Sequence, residues 1–199
     1  MQTRQAFDGQ RRDQHGPDRR TLLKAAGIGL FAFNVAGVEV LLSPAEARAR
    51  GAVLSVLSAE DAALLEAFGE ALVPGARAAG IAHFVDANLA RPHHESLLTV
   101  RYLDVLPPHD AFYRAGLAAL DAASRAVLGV PFVQASAAAA KPLIAAMLPG
   151  TIAPWQGPPA ALFYLTVRSD AADLVYGTRA AFDRMQVPYL AHIDPPSDW

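Results

Sequence analysis

Apolar residues recur at helical spacing through most of the chain. Ser58-Ala59-Glu60-Asp61 reads as a capping box ahead of Leu64, Leu65, Phe68 and Leu72, and Pro74-Gly75 stops that helix. Ile81, Phe84, Val85 and Leu89 repeat the i, i+3, i+4, i+8 pattern up to Pro92. Leu98, Tyr102 and Leu106 predict a third helix from about His94 to Leu106, closed by Pro107-Pro108. Asp110 opens the longest run, with Tyr113, Leu117, Leu120 and Leu128 on one face and Gly129 at its end. Ala137–Leu148 is helical in propensity, with Pro142 starting or kinking the helix, and Ala160–Tyr176 supplies a sixth helix. No strand alternation and no internal repeat is read. The expected fold class is all-α, a compact bundle of about five to six short helices. An irregular proline-rich tail follows from Val187.

The first 47 residues have a different character. Arg4, Arg11, Arg12, Arg19, Arg20 and Lys24 precede the apolar run Ala25–Leu42, which Asn34 and Glu39 interrupt. Ala45-Glu46-Ala47 then matches A-x-A, so the whole reads as an export signal cut after Ala47. Asp18-Arg19-Arg20-Thr21-Leu22-Leu23-Lys24 resembles the twin-arginine motif, with Asp18 in place of the usual Ser or Thr. Arg19, Arg20, Leu22, Leu23 and Lys24 are then the export-motif residues, and Ala45 and Ala47 mark the cleavage site. The expected division is a signal segment over 1–47 and a helical domain over 48–199. Such a leader implies the twin-arginine translocase, export in the folded state and a periplasmic destination. Left uncut, the same run would serve as a membrane anchor.

Composition narrows the chemistry. Hydrophobic residues make up 53% of the 199 and charged residues 18%, enough apolar material for a core. A net charge of −2 offers no basic excess for a nucleic-acid backbone. With no cysteine, this chain holds no disulfide, Cys-ligated zinc, iron–sulfur cluster, c-type haem attachment or Cys nucleophile. Alanine-rich helices bury little side-chain area each, which suggests a thin core completed against a partner.

Candidate chemistry is sparse. His83 and Asp86, at i, i+3, could share a metal, and His93-His94-Glu95 opens a helix. Glu66 and Glu70 pair at i, i+4, as surface acids commonly do. H-E-x-x-H, E-x-x-H, G-x-S-x-G and P-loop patterns are missing, and Gly27-Ile28-Gly29-Leu30-Phe31-Ala32 matches a dinucleotide fingerprint with no strand before it. Arg168, Arg179 and Arg184 could contact a partner. So could the tail, where Tyr189, His192 and Trp199 are the docking candidates.

Four stretches resemble the gluconate 2-dehydrogenase subunit 3 family. Leu57–Asp61 through Ala71-Leu72-Val73-Pro74-Gly75 is similar to its opening "LTxxExxxLxxxxxALxPG". Ala79–Asp86 is similar to its second helix, Phe112–Asp121 to its "GLxALD" helix, and Phe163 to Val175-Tyr176-Gly177 to its "F…VYG" helix. The tail from Val187 is like one branch of the family. The resemblance implies a non-catalytic small subunit with no cofactor of its own. Its partner would be a large FAD-dependent dehydrogenase of the glucose–methanol–choline type, acting on a sugar, sugar acid or polyol. A cytochrome c subunit bearing haem c would take the electrons, and the small subunit's signal would carry the flavoprotein out. The alternatives are a stand-alone periplasmic helical enzyme using His83/Asp86 or His93/His94, and an independent helical binding module.

Overall fold

The computed structural model describes residues 29–188. Two strands open it, β1 (Phe31–Val35) and β2 (Val38–Leu42), and seven helices follow among the described residues. These are α1 (Pro44–Ala49), α2 (Ala59–Leu72), α3 (Ile81–Leu89), α4 (Asp110–Leu128), α5 (Ala137–Ala145), α6 (Ala160–Tyr176) and α7 (Arg179–Met185). The helical class read from the sequence is the observed one, with a small two-stranded sheet added.

Five expected helices, α2 to α6, form where the pattern places them. Ser58 caps α2 by accepting from the Asp61 N–H, and the Asp61 carboxylate accepts in return from the Ser58 N–H. Gly129, left-handed at φ 73°, ends α4 at the expected residue. α5 carries Pro142 inside it, and α6 ends at Tyr176.

The core lies where α2, α4 and α6 meet. Phe163 of α6 stacks on Phe68 of α2 with centroids 5.6 Å apart and planes 11° from parallel. It also touches Phe112 at 5.8 Å and Trp155 at 6.2 Å. Gly116 of α4 permits this approach, since a β-carbon there would run into the Phe163 ring. Trp155 is half-buried and donates to the Pro158 carbonyl at 2.7 Å, so the loop before α6 is anchored.

Two expectations are corrected. The helix read over His94–Leu106 does not form: the segment is a pair of 3₁₀ turns, His93–Glu95 and Thr99–Tyr102, with extended residues between and after them. Leu98 is fully buried while Tyr102 is 70% and Leu106 87% exposed, so the three do not share an inward face. The cause is competition for backbone N–H groups. Asn88 Oδ1 accepts from Leu97 N and Asp170 Oδ1 accepts from Thr99 N, each at 2.8 Å, so side chains of α3 and α6 take donors that a helix would have used internally.

The second correction concerns the absence of strands. Within the apolar run Ala25–Leu42, residues 31–42 form an antiparallel hairpin, Phe31 opposite Leu42 and Val35 opposite Val38. Its turn, Ala36-Gly37, is left-handed at both residues, the geometry that matches strand twist. Phe31, Phe33 and Leu42 are buried. Phe31 packs edge-on against Phe84 at 5.9 Å beneath the Arg91 guanidinium, 4.4 Å from the ring centre. Helix α1 then starts at Ser43, whose hydroxyl accepts from Glu46 N while the Glu46 carboxylate accepts from Ser43 N and Oγ. The expected division at residue 47 therefore runs through α1, whose Ala47 is fully buried. Among the described residues no helix is long and apolar enough to cross a membrane.

Candidate functional site

The chemistry-bearing side chains gather on the inner faces of α3 and α6. On α3, His83, Asp86 and Asn88 are all buried. A buried carboxylate needs strong donors, and Asp86 finds three in the loop before α2. Its Oδ1 accepts from Val56 N and Leu57 N, and its Oδ2 from Ser55 N, each at 2.8 Å. The expected His83/Asp86 pair thus has its carboxylate filled by the backbone. His83 turns Nε2 to the Ala52 carbonyl at 3.2 Å, which fixes Nε2 as the protonated nitrogen. Its Nδ1 is buried without a partner, and its ring meets Phe33 edge-on at 6.0 Å. Among the described residues no three His, Asp or Glu side chains converge in a metal-holding group.

On α6, Asp170 is the deepest charge. Its Oδ2 accepts from the Tyr113 hydroxyl at 2.5 Å and its Oδ1 from Thr99 N. Burial pushes its carboxyl up to about 6, against the opposing hydrogen bonds from Tyr113 and Thr99. Burial, together with the neighbouring Asp170 charge, pushes the Tyr113 phenol well above its ordinary value. Sequence reasoning passed over this pair. The available signal was an aspartate at position 170 on the stripe Phe163, Val167, Ala171, Leu174.

Glu70 and Asp121 also hold backbone N–H groups, while Glu66 holds an arginine. Glu70 accepts from Gly75 N and Arg77 N at 3.0 Å each, and so ties the Pro74-Gly75 turn to the end of α2. Burial alone would raise its carboxyl, but those N–H groups and the Arg77 and Arg48 charges hold it below the usual range. Glu66 receives Arg48 in a two-pronged pair, Nε at 2.7 Å and Nη2 at 3.1 Å. Glu66 and Glu70 are therefore a helix anchor and a turn anchor. Asp121 of α4 accepts from Phe132 N at 2.8 Å and from Arg125 Nε at 2.7 Å.

His93 and His94 diverge. His93 meets the His109 ring edge-on at 5.0 Å, and His109 Nε2 lies 3.1 Å from the Val105 carbonyl. His94 is exposed beside Glu95 at 3.5 Å. A polar cleft of about 150 Å³ lies by His93, His109, Arg91 and Asn88. A larger, more apolar groove of about 450 Å³ runs between the start of α1, the Pro74-Gly75 turn and the end of α6, with Arg184 at its rim. Arg168 is exposed on α6. The export motif Arg19–Lys24 and the docking candidates Tyr189, His192 and Trp199 lie outside the described residues.

Residues 59–189, about two thirds of the chain, match the family model described as gluconate 2-dehydrogenase subunit 3. No curated protein and no solved structure matches the chain. The match covers α2 through α7 and begins after the hairpin and α1.

Proposed function

The chain belongs to the gluconate 2-dehydrogenase subunit 3 family, and we propose that it is the non-catalytic small subunit of a periplasmic, FAD-dependent dehydrogenase of the glucose–methanol–choline type. Membership makes it an accessory subunit of a dehydrogenase complex. In our reading the catalytic chain oxidises a sugar, sugar acid or polyol on its own FAD, and a cytochrome c subunit takes the electrons. This chain supports the folding and assembly of the flavoprotein, and its Arg19-Arg20 leader takes both through the twin-arginine translocase.

The observation that carries the reading is how the acids are employed. Asp86, Asp121 and Asp170 hold backbone N–H groups of connecting segments, which is scaffolding chemistry. The same connectors carry apolar side chains outward. Leu97, Tyr102 and Leu106 are exposed on the segment that Asn88 and Asp170 tie down, a surface suited to a protein partner. The test is a tagged copy of this chain expressed beside its neighbouring genes and purified from the periplasm. A yellow, FAD-bearing chain of much larger size should co-purify. Changing Arg19 and Arg20 to lysine should hold both chains in the cytoplasm. A chain that turns over a sugar or polyol alone, or reaches the periplasm while the flavoprotein stays in the cytoplasm, refutes the proposal.

A further inference from the structure

We infer that the hairpin and α1, residues 31–49, are a permanent part of the working subunit, so that the leader is either retained or cut amino-terminal to Phe31, and not after Ala47. The apolar run and the A-x-A triplet have a structural use that competes with a signal's use. In Ser43-Pro44-Ala45-Glu46-Ala47, Glu46 is the capping-box partner of Ser43, Pro44 occupies the first turn, and Ala47 is fully buried. The Ala47–Arg48 bond is thus inside a helix and against the core. A peptidase that reads A-x-A needs that stretch extended and exposed.

The segment is also built into the rest of the domain at several points. Ala52 N donates to the Ala47 carbonyl and Val53 N to the Asn34 carbonyl, each at 2.9 Å. The backbone at Pro44 lies so close to Gly80 that a β-carbon on Gly80 would overlap the Pro44 carbonyl. Gly80, left-handed at φ 85°, opens α3, so α3 begins under α1. Loss of residues 1–47 would strip Phe31 from Phe84 and Arg91, Phe33 from His83, and Ala47 from the core. That would uncover the flank of α3 that carries His83 and Phe84, both buried.

Order of events strengthens the case, and this one step rests on the twin-arginine proposal. A chain exported already folded presents its peptidase with α1 formed and Ala47 covered. The family match begins at residue 59, so it neither requires nor excludes the upstream piece. The packing alone assigns it.

The test is the intact mass of the small subunit in the complex purified from the periplasm. A first residue anywhere from Met1 to Phe31 is the expected result, and a first residue between Ala32 and Arg48 overturns the inference. A second measurement does not depend on export. The Arg19→Lys, Arg20→Lys chain is purified whole from the cytoplasm, and backbone hydrogen exchange is followed by peptide. The hydrogen-bonded amides of the hairpin and α1, and that of Val53, should exchange about 100-fold or more slowly than in a free peptide. Free-peptide rates there overturn the inference. If the lysine variant still reaches the periplasm, the export proposal fails, and the mass of that exported chain still decides where it starts.

Discussion

Replacing Asp170 by asparagine tests the most perturbed acid of the fold. Asp170 is buried and its carboxyl sits at about 6, whereas in the unfolded chain it titrates near 3.8. Between these values the native state binds a proton that the unfolded state does not. Stability from this group is therefore fully present below about pH 4 and is lost as pH rises to about 6. At about 1.36 kcal/mol per pH unit, the gap from 3.8 to 6 corresponds to about 3 kcal/mol. For a chain of this size that is roughly 6–12 °C in Tm. The Asp170→Asn variant keeps the side-chain shape but has nothing to titrate at that position. Urea unfolding of both proteins at pH 4, 5, 6 and 7 gives a difference curve in which the other carboxylates cancel. The wild type should gain about 3 kcal/mol on the variant between pH 7 and pH 4. Parallel curves would refute the reasoning. So would a wild type that gains on the variant as pH rises, because that is the sign of a carboxyl held low by its partners.

Three further perturbations follow from the same geometry. Asp86→Ala leaves Ser55, Val56 and Leu57 N–H without their acceptor and should cost about 3–5 kcal/mol in urea unfolding, whereas EDTA should leave the wild-type Tm unchanged. Gly116→Val drives a side chain into Phe163 and should lower stability by at least about 1–3 kcal/mol, read as a fall in the midpoint of helical circular dichroism. Alanine at His93 or His94 should leave turnover of the assembled complex within about 10-fold; a loss of about 100-fold, roughly 2.7 kcal/mol of barrier, with assembly intact would expose a catalytic role.

The helices that could be read from the sequence are those that carry both a periodic apolar face and a punctuation mark. Ser58, Pro74-Gly75, Gly129 and Gly177 bound α2, α4 and α6 closely, because caps and breakers act locally. The segment over 94–106 had the period, but its backbone donors are taken by Asn88 and Asp170, and Asp170 is 71 residues from the Thr99 it binds. Such long-range capture leaves no local trace. The hairpin is a different case. Phe31, Phe33 and Val35 alternate, as do Val38, Val40 and Leu42, and Ser43-Pro44-Ala45-Glu46 follows the same S-x-x-acid pattern as Ser58-Ala59-Glu60-Asp61. Those marks were legible, but basic residues upstream and an A-x-A triplet downstream gave the run another meaning. At the site, the His83–Asp86 spacing left two uses open, a shared metal or polar contacts, and the structure gives Asp86 three backbone N–H donors. Spacing places two side chains on one face; it does not say whether a metal or a backbone reaches them first.

The buried acceptors explain how so alanine-rich a chain holds a defined surface. Its small side chains give each helix little area to bury, so packing alone fixes the helices better than the segments between them. Asp86 pins residues 55–57, Glu70 pins 75 and 77, Asn88 and Asp170 pin 97 and 99, and Asp121 pins 132. Each acceptor stands on a helix and each donor is a connector's backbone. Ordering these connectors costs conformational entropy once, at folding, and a partner that later binds them does not meet that cost again. The exposed Leu97, Tyr102 and Leu106 lie at or beyond the two pinned residues, and there preorganisation has the most to contribute to recognition. Asp86, Asp121 and Asp170 thus hold connectors still, and the partner proposed above would meet those connectors already ordered.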